Sequence, residues 1–276
     1  MKDNRGREFS PEAQAVIAEF VPIIKQWDVG KYAISIGGSM GKATWDHLSD
    51  IDFRLFHEKD LPWPQEKPEI WTEFMAAVDR WRENGVRIDY IWPRKISQVD
   101  ADLEKWLAGE AKPDDLVWAI WGYHLLPDIS NQAVIEDPDG IIQGWKDRLA
   151  HYPPALQKAI LEKHGGSLRY WRHDYHYANK VTRGDVVFLA GLSARLVHDM
   201  MQVLFALNKT YFVGDGQNLK FVKSFAIQPE NLAARVEEVL YPGNAEDKLV
   251  RQRDNLYRLI DDVLQLVESN TEENKD

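Results

Sequence analysis

The spacing of apolar residues predicts a mixed α/β fold for the first half of the chain. Ser10-Pro11 precedes apolar residues at helical spacing. This pattern predicts a helix over 11–27, because Ser is a good N-cap and Pro is tolerated in the first turn. The short apolar run Tyr32–Ile36 ends on two glycines, which predicts a buried strand running into a tight turn. Further strands are predicted over 51–56, 86–92 and 132–135, a helix over 69–83, and an interrupted helical pattern from 96 to 127.

The second half has no convincing strand pattern. Long helical patterns fill 155–180, 185–208, 229–240 and 245–268, which predicts a helical bundle. The Pro153-Pro154 pair is the best candidate for a hinge. The predicted fold class is therefore α+β, with an α/β domain containing a mixed sheet over residues 1–150 and an all-α helical domain over 151–276.

Composition narrows the chemistry and the compartment. The 276 residues include no cysteine, which excludes thiol nucleophiles, cysteine zinc sites and iron–sulfur clusters. No uninterrupted apolar run approaches the roughly 18 residues that span a bilayer. The charged N-terminus lacks the apolar core of a signal peptide. We therefore expect a cytoplasmic protein without a membrane partner.

Charge is distributed unevenly along the chain. The net charge is -10, and residues 1–150 carry 27 acidic and 18 basic side chains against 17 and 16 in residues 151–276. An acidic protein is poorly suited to gripping a nucleic-acid backbone, because that binding depends on Lys and Arg displacing counterions. The acidic excess is consistent either with a merely soluble surface or with a cationic partner.

Three aspartates carry the candidate chemistry. Asp50 and Asp52 stand one residue apart on a predicted strand, where alternate side chains share a face. Asp89 lies in the middle of another predicted strand. If the strands pair, the three carboxylates converge, and such hard oxygen ligands suit Mg²⁺. Two such ions can clamp the attacking and leaving oxygens of a phosphoryl transfer. The alternative is an exposed strand edge and a structural ion pair.

A glycine turn precedes the first two aspartates. Gly37-Gly38-Ser39 ends the first predicted strand, and such a turn lets the backbone and the Ser39 hydroxyl approach a phosphate. Lys42 adds a counter-charge. Gly41-Lys42 is followed by Ala43 instead of Ser or Thr, so this segment is not a P-loop.

These residues together resemble a known signature. Gly38-Ser39, ten intervening residues and then Asp50-Ile51-Asp52 resembles that of the polymerase-β-like nucleotidyltransferase superfamily, with Asp89 in the place of its third acid. The layout of the whole chain is similar to bacterial lincosamide- and aminoglycoside-type nucleotidyltransferases. One departure concerns the phosphate contacts: many relatives have a small residue two places after the Ser and then Gly, whereas Gly41 precedes Lys42-Ala43 here.

The resemblance implies a catalytic domain over 1–150 and an active site in the cleft between the domains. The implied reaction moves a nucleoside monophosphate from a nucleoside triphosphate, expected to be ATP, to an acceptor hydroxyl, and releases pyrophosphate. Asp50 and Asp52 would hold two Mg²⁺ ions, and Gly38 and Ser39 would hold the triphosphate. Asp89 would ligate the catalytic metal or act as the base. The implied acceptor is a small, hydroxylated molecule such as an aminoglycoside or lincosamide antibiotic, which would make the protein an antibiotic-resistance factor.

Residues 170–177 are rich in aromatic and charged side chains and are predicted to be helical. Four residues here and just beyond are candidates for contacts to the acceptor: Trp171, Asp174, Tyr175 and Lys180. Their rings could stack on a base or sugar, and the acid could meet an amine. The commoner role of such a stretch is a packing surface.

Two other functions remain open. One is nucleotidyl transfer to a protein or tRNA, against which the acidic first half argues. The other is a non-catalytic nucleotide-binding protein, although the three intact aspartates give no sign of a decayed site. The sequence leaves the acceptor, the nucleotide and the choice between monomer and homodimer undecided.

Overall fold

The computed structural model describes residues 1–2, 6–62, 64–110, 125–214 and 218–272. The chain divides into two compact units. Unit 1 comprises residues 1–104 and 125–151, and unit 2 comprises residues 105–124 and 152–276. The fold is α+β, with helices in both units and a four-stranded mixed sheet in unit 1. Part of the helical pattern predicted over 96–127, residues 111–124, lies outside the described residues.

The elements follow one another in an order close to the predicted one. Up to residue 151 they are α1 (Pro11–Lys25), β1 (Tyr32–Ile36), α2 (Gly38–Gly41), β2 (Ile51–His57), α3 (Pro68–Glu83), β3 (Ile88–Lys95), α4 (Ile96–Leu107), α5 (Leu125–Ser130), β4 (Ala133–Glu136) and α6 (Ile141–Leu149). After residue 151 they are α7 (Pro154–His173), α8 (Tyr175–Arg183), α9 (Val186–Leu207), α10 (Asn218–Val222), α11 (Leu232–Leu240) and α12 (Lys248–Glu272).

The sheet of unit 1 has the strand order β3-β2-β1-β4. β2 pairs antiparallel with β1 and parallel with β3, so β3 is an edge strand and the sheet is mixed. One face of the sheet is apolar, because Ile36 of β1 and Phe53 of β2 alternate with polar neighbours. This face packs against α1 and α3 in one core, where Phe20 contacts both Phe53 and Phe74.

The opposite face of the sheet is polar at one end and apolar at the other. Ser35, Asp52 and Arg54 share this face, since Ser35 pairs with Arg54 and side chains alternate along each strand. Further along β2, Phe56 packs edge-on against Trp145 of α6, with ring centroids 4.9 Å apart. The polar end is the place where the candidate chemistry lies.

In unit 1, β3 and α6 differ clearly from the sequence prediction. β3 begins at Ile88 and not at Val86, because the N–H of Val86 donates to the carbonyl of Trp81 (2.9 Å) and closes the end of α3. Helix α6 was not predicted at all. Its start is stabilised by Asp137, whose carboxylate accepts the N–H of Ile141 (2.7 Å).

Unit 2 contains helices and no strand among its described residues. The helix predicted over 155–180 is in fact two helices. Asp174 separates them, because its backbone is extended (φ -78°, ψ 123°) and its carboxylate accepts the N–H of His176 (2.7 Å), which caps α8. A turn at Gly184-Asp185 separates α8 from α9, with Gly184 left-handed (φ +66°) and Asp185 capping α9.

Helix α9 forms the centre of unit 2. Within the described ranges it is the one helix whose length and mean hydropathy (1.2) would allow it to cross a membrane. However, 56% of that stretch is buried in the structure, where α9 supplies many of the residues of the unit 2 core. We therefore interpret α9 as a core helix.

Candidate metal centre

Three carboxylates of unit 1 converge at the polar end of the sheet. One oxygen from each of Asp50, Asp52 and Asp89 lies within 4.8 Å of the others. Asp52 is on β2 and Asp89 is on β3, whereas Asp50 lies one residue before β2 begins and not on a strand as predicted. At the start of β2, the N–H of Ile51 donates to the carbonyl of Arg87 (3.0 Å), which directly precedes β3. The sequence prediction of a three-aspartate group agrees with this placement.

The predicted glycine turn lies directly against Asp52. The N–H of Gly37 donates to the carbonyl of Asp52 (2.9 Å), which brings Gly38 beside the Asp52 side chain. Gly38 has φ +55°, and a Cβ atom added there would lie 1.8 Å from Oδ2 of Asp52. Position 38 thus accepts only glycine in this arrangement, both for its backbone conformation and for the close approach of the carboxylate.

The residues after Gly38 make up the short helix α2. The Ser39 hydroxyl is buried and has no hydrogen-bond partner among the described residues. A buried hydroxyl without a partner costs free energy, so a ligand that accepts its hydrogen bond would stabilise it. Lys42 follows at the C-cap of α2, with its N–H donating to the carbonyl of Gly38 (3.1 Å).

Asp52 has an unusual electrostatic environment. Only 13% of its side chain is exposed, and this burial raises the pKa of Asp52 to about 6. The nearby Arg54 opposes that rise, while Asp50, Asp89 and Asp128 reinforce it. A buried carboxylate surrounded by others is unfavourable in its charged form unless a cation compensates it. The site therefore favours cation binding.

Arg54 lies between two carboxylates on the same face of the sheet. Its Nη1 is 3.6 Å from Asp52, and its Nη2 is 3.4 Å from Asp128 of α5. Burial alone would lower the pKa of Arg54, but the carboxylates of Asp128 and Asp52 raise it above its ordinary value. Neither Arg54 nor Asp128 was predicted as a site residue. The period-two spacing from Asp52 could have indicated Arg54, whereas nothing local indicated Asp128.

β3 contains a bulge that begins at Asp89. Ile51 pairs with Ile88 and Phe53 with Ile91, so two residues of β3, Asp89 and Tyr90, lie opposite the single residue Asp52 of β2. Ile88 and Ile91 consequently both face the apolar core, although three positions separate them. Asp89 lies on the other face. The bulge also changes which residues follow Asp89 on that face.

The four candidate substrate residues belong to unit 2, and each has contacts within it. The Trp171 ring packs against Phe188 (centroids 6.2 Å apart), and Asp174 caps α8. Lys180 donates to Asp185 (2.7 Å). Tyr175 stacks on the ring of His176 (centroids 4.1 Å apart), and 66% of it is exposed. Capping and ion pairing explain Asp174 and Lys180 without a ligand.

A second polar group, which the sequence did not indicate, is buried between α7 and α9. Nδ1 of His164 is 2.6 Å from Oδ1 of Asp199, and the hydroxyl of Ser167 donates to the other oxygen of Asp199 (2.7 Å). His198 lies nearby, and burial lowers its pKa to about 4. These hydrogen bonds satisfy Asp199 in the interior of unit 2, which is the usual condition for burying a charge.

Comparison with known proteins adds one family. Residues 118–214 match a family described as a domain of unknown function (DUF4037). The matched segment runs from before α5 to just beyond α9, about a third of the chain, and contains none of the three aspartates. No curated protein matches the chain. The chain is thus similar, over that segment, to a family whose description names no activity.

Proposed function

We propose that the protein is a Mg²⁺-dependent nucleotidyltransferase whose first 150 residues form a catalytic domain of the polymerase-β-like type, followed by a helical domain. It transfers a nucleoside monophosphate from a nucleoside triphosphate, expected to be ATP, to a hydroxyl of a small acceptor. The single observation that carries this proposal is the convergence of Asp50, Asp52 and Asp89 beside the Gly38-Ser39 turn.

The donor set fits the proposed ion. Three carboxylates supply hard oxygen ligands, and Mg²⁺ typically binds through one or two of these plus phosphate oxygens. Two further observations support a ligand here. The Asp52 carboxyl is confined by Gly38, and the buried hydroxyl of Ser39 has no partner in the described part of the chain. Asp50, Asp52 and Asp89 would hold the metal, which supplies positive charge to oppose the charge that develops on the phosphate oxygens.

The proposed reaction is the attack of an acceptor hydroxyl on the α-phosphate of the nucleoside triphosphate. The oxygen of the acceptor hydroxyl bonds to the α-phosphorus, and the bond from that phosphorus to the oxygen bridging the α- and β-phosphates breaks. Pyrophosphate leaves with the bonding electron pair. The hydroxyl proton passes to Asp89 if Asp89 is the base, or to water if Asp89 is solely a metal ligand. The hydroxyl of Ser39 and the charge of Lys42 would hold the triphosphate.

The acceptor is proposed from charge. The acidic excess of residues 1–150 favours a cationic small molecule over RNA, and an aminoglycoside or lincosamide antibiotic is the first acceptor to test. Antibiotic resistance in the cytoplasm would then be the biological role. Trp171, Asp174, Tyr175 and Lys180 remain the proposed acceptor contacts in unit 2, and Tyr175 has the most exposed ring among them.

The test is pyrophosphate release by purified protein with Mg²⁺, each of the four nucleoside triphosphates and a panel of acceptors. Asp50→Asn and Asp52→Asn should abolish release and leave the fold intact, since removing one charge relieves repulsion. Asp60→Asn is the matched control, because Asp60 is an exposed acid of unit 1 that pairs with Lys95. Silence of the wild type across the whole panel would contradict the function, and activity in the Asp52 variant would contradict the metal assignment.

A further inference from the structure

Trp92 lies on the face of the sheet that carries Asp52 and Asp89. It pairs with Arg54 across β2 and β3, and neighbours in a sheet share a face. Regular alternation from Ile88, which faces the core, would turn Trp92 toward the core as well. The bulge between Ile88 and Ile91 reverses the alternation and brings Trp92 to the side of Asp52.

The indole of Trp92 is tied directly to the aspartate group. Its Nε1–H donates to Oδ2 of Asp89 (3.1 Å), and the guanidinium of Arg54 lies 5.9 Å from the centre of its ring. The residue is nevertheless 47% exposed. Burial of apolar surface therefore accounts for only part of its placement.

The hydrogen bond has a consequence for Asp89. An indole N–H is a donor only, so it can orient a carboxylate without taking its proton. A hydrogen bond to an ionised acceptor is also stronger than a neutral one. Residues that hydrogen-bond to metal-ligating side chains fix the orientation of those ligands, and their loss typically weakens metal binding about 10- to 100-fold.

We propose that Trp92 is a positioning residue for Asp89. Its N–H holds Oδ2 and so fixes the direction in which the carboxylate faces Asp50 and Asp52. The inference rests on the proposed function of this site, and it applies whether Asp89 ligates the metal or accepts the acceptor's proton. The bulge in β3 is the structural device that makes the contact, because it brings Asp89 and Trp92 to one face.

The variant Trp92→Phe keeps an aromatic ring and removes the N–H. Its matched control is Trp81→Phe, because Nε1 of Trp81 also donates to a carboxylate of unit 1, Oε2 of Glu19 (2.8 Å), which is not part of the aspartate group. Mn²⁺ affinity of the metal-stripped full chain is measured by electron paramagnetic resonance. We expect Trp92→Phe to bind Mn²⁺ about 10-fold more weakly, and Trp81→Phe to bind it as the wild type does.

A spectroscopic measurement separates positioning from a merely structural role. In nitrogen-15 spectra the indole signals of Trp92 and Trp81 are each identified by their absence in the corresponding variant. Mg²⁺ should shift the Trp92 signal, because the carboxylate that accepts its hydrogen bond donates charge to the ion. The Trp81 signal should stay in place. A thermal unfolding midpoint for each variant checks that both are folded.

The possible results distinguish failure of the role of Trp92 from failure of the proposed function. If the wild type binds no Mn²⁺, the metal site and the proposed function fail, and the role of Trp92 fails with them. If the wild type binds Mn²⁺ and Asp89→Asn loses it, the site stands. Unchanged affinity in Trp92→Phe, or a Trp92 signal that ignores Mg²⁺, then overturns the inference alone.

Discussion

Gly38→Ala tests the close contact between the glycine turn and the aspartate group. The added Cβ would lie 1.8 Å from Oδ2 and 2.7 Å from Cγ of Asp52, whereas ordinary contacts begin at 3.4 Å. The carboxylate or the turn must therefore move by about 1.6 Å, the difference between 3.4 and 1.8 Å. Catalytic and metal sites tolerate only about 0.5 Å of displacement, so the ligand geometry should be lost.

The left-handed backbone at position 38 adds a cost in unfolding free energy, and Gly140→Ala is a control for that cost alone. Gly38 has φ +55°, and an alanine in the left-handed region costs roughly 1–2 kcal/mol. Gly140 has φ +66° and no atom within 4 Å of an added Cβ. Gly140→Ala thus carries the same kind of backbone strain, in the same unit, without the collision. Both variants should lose about 1–2 kcal/mol of unfolding free energy from strain.

The assay compares Mn²⁺ affinity and urea unfolding for the two variants and the wild type. Gly140→Ala should bind Mn²⁺ as the wild type does, while Gly38→Ala should bind it at least about 10-fold more weakly. Equal affinities in the two variants would show that Gly38 does not confine a metal-binding Asp52 carboxylate, and would refute this account of the turn.

Two further predictions concern buried charge. The pKa of Asp52 is about 6 in the folded chain against an ordinary 3.8, so the folded state binds this proton more tightly and metal-free protein gains stability as pH falls through about 6. In EDTA, the unfolding free energy of the wild type should rise by up to about 3 kcal/mol as pH falls from above about 6 to below 3.8, and Asp52→Asn should remove this rise. Urea unfolding measures it, and an Asp52→Asn variant with the same pH dependence as the wild type would contradict the burial argument. In unit 2, Asp199→Ala removes the acceptor of two buried hydrogen bonds, from His164 and Ser167, and should cost about 3 kcal/mol. Loss of the exposed Asp261, which pairs with Arg172 at the surface, should cost no more than about 1 kcal/mol, and equal costs for the two would be evidence against the buried network.

The aspartate group could be predicted because most of its residues lie close together in the sequence. Asp50 and Asp52 are two positions apart in the chain, and a glycine turn precedes them at a recognisable spacing. Alternating apolar positions around Phe53 predicted the strand that presents Asp52, and the structure has that strand at Ile51–His57. Asp89 required the further assumption that its strand pairs with β2, which the structure bears out.

The remaining features depend on contacts between distant residues. Asp128 reaches Arg54 from 74 positions away, so no spacing rule indicated their ion pair. The bulge that turns Trp92 toward Asp89 is a property of the pairing of two strands and not of either strand alone. The break between α7 and α8 could not be predicted from apolar spacing, because that spacing continues across Asp174. The break depends on the Asp174 side chain, which accepts a hydrogen bond from the backbone and caps α8.

The charge of the site can now be separated from the charge of the chain. Four carboxylates interact electrostatically with one another or with Arg54: Asp50, Asp52, Asp89 and Asp128. When all four are ionised, Arg54 compensates one of the negative charges and three remain. A bound divalent cation would reduce this charge to about -1, and a second would make it positive, so that a triphosphate would bind favourably beside it. Under the proposed function, we therefore expect metal to bind first and nucleotide second. The other acidic residues among the 27 of the first 150 lie outside this group, and under the proposed function they would attract a cationic acceptor.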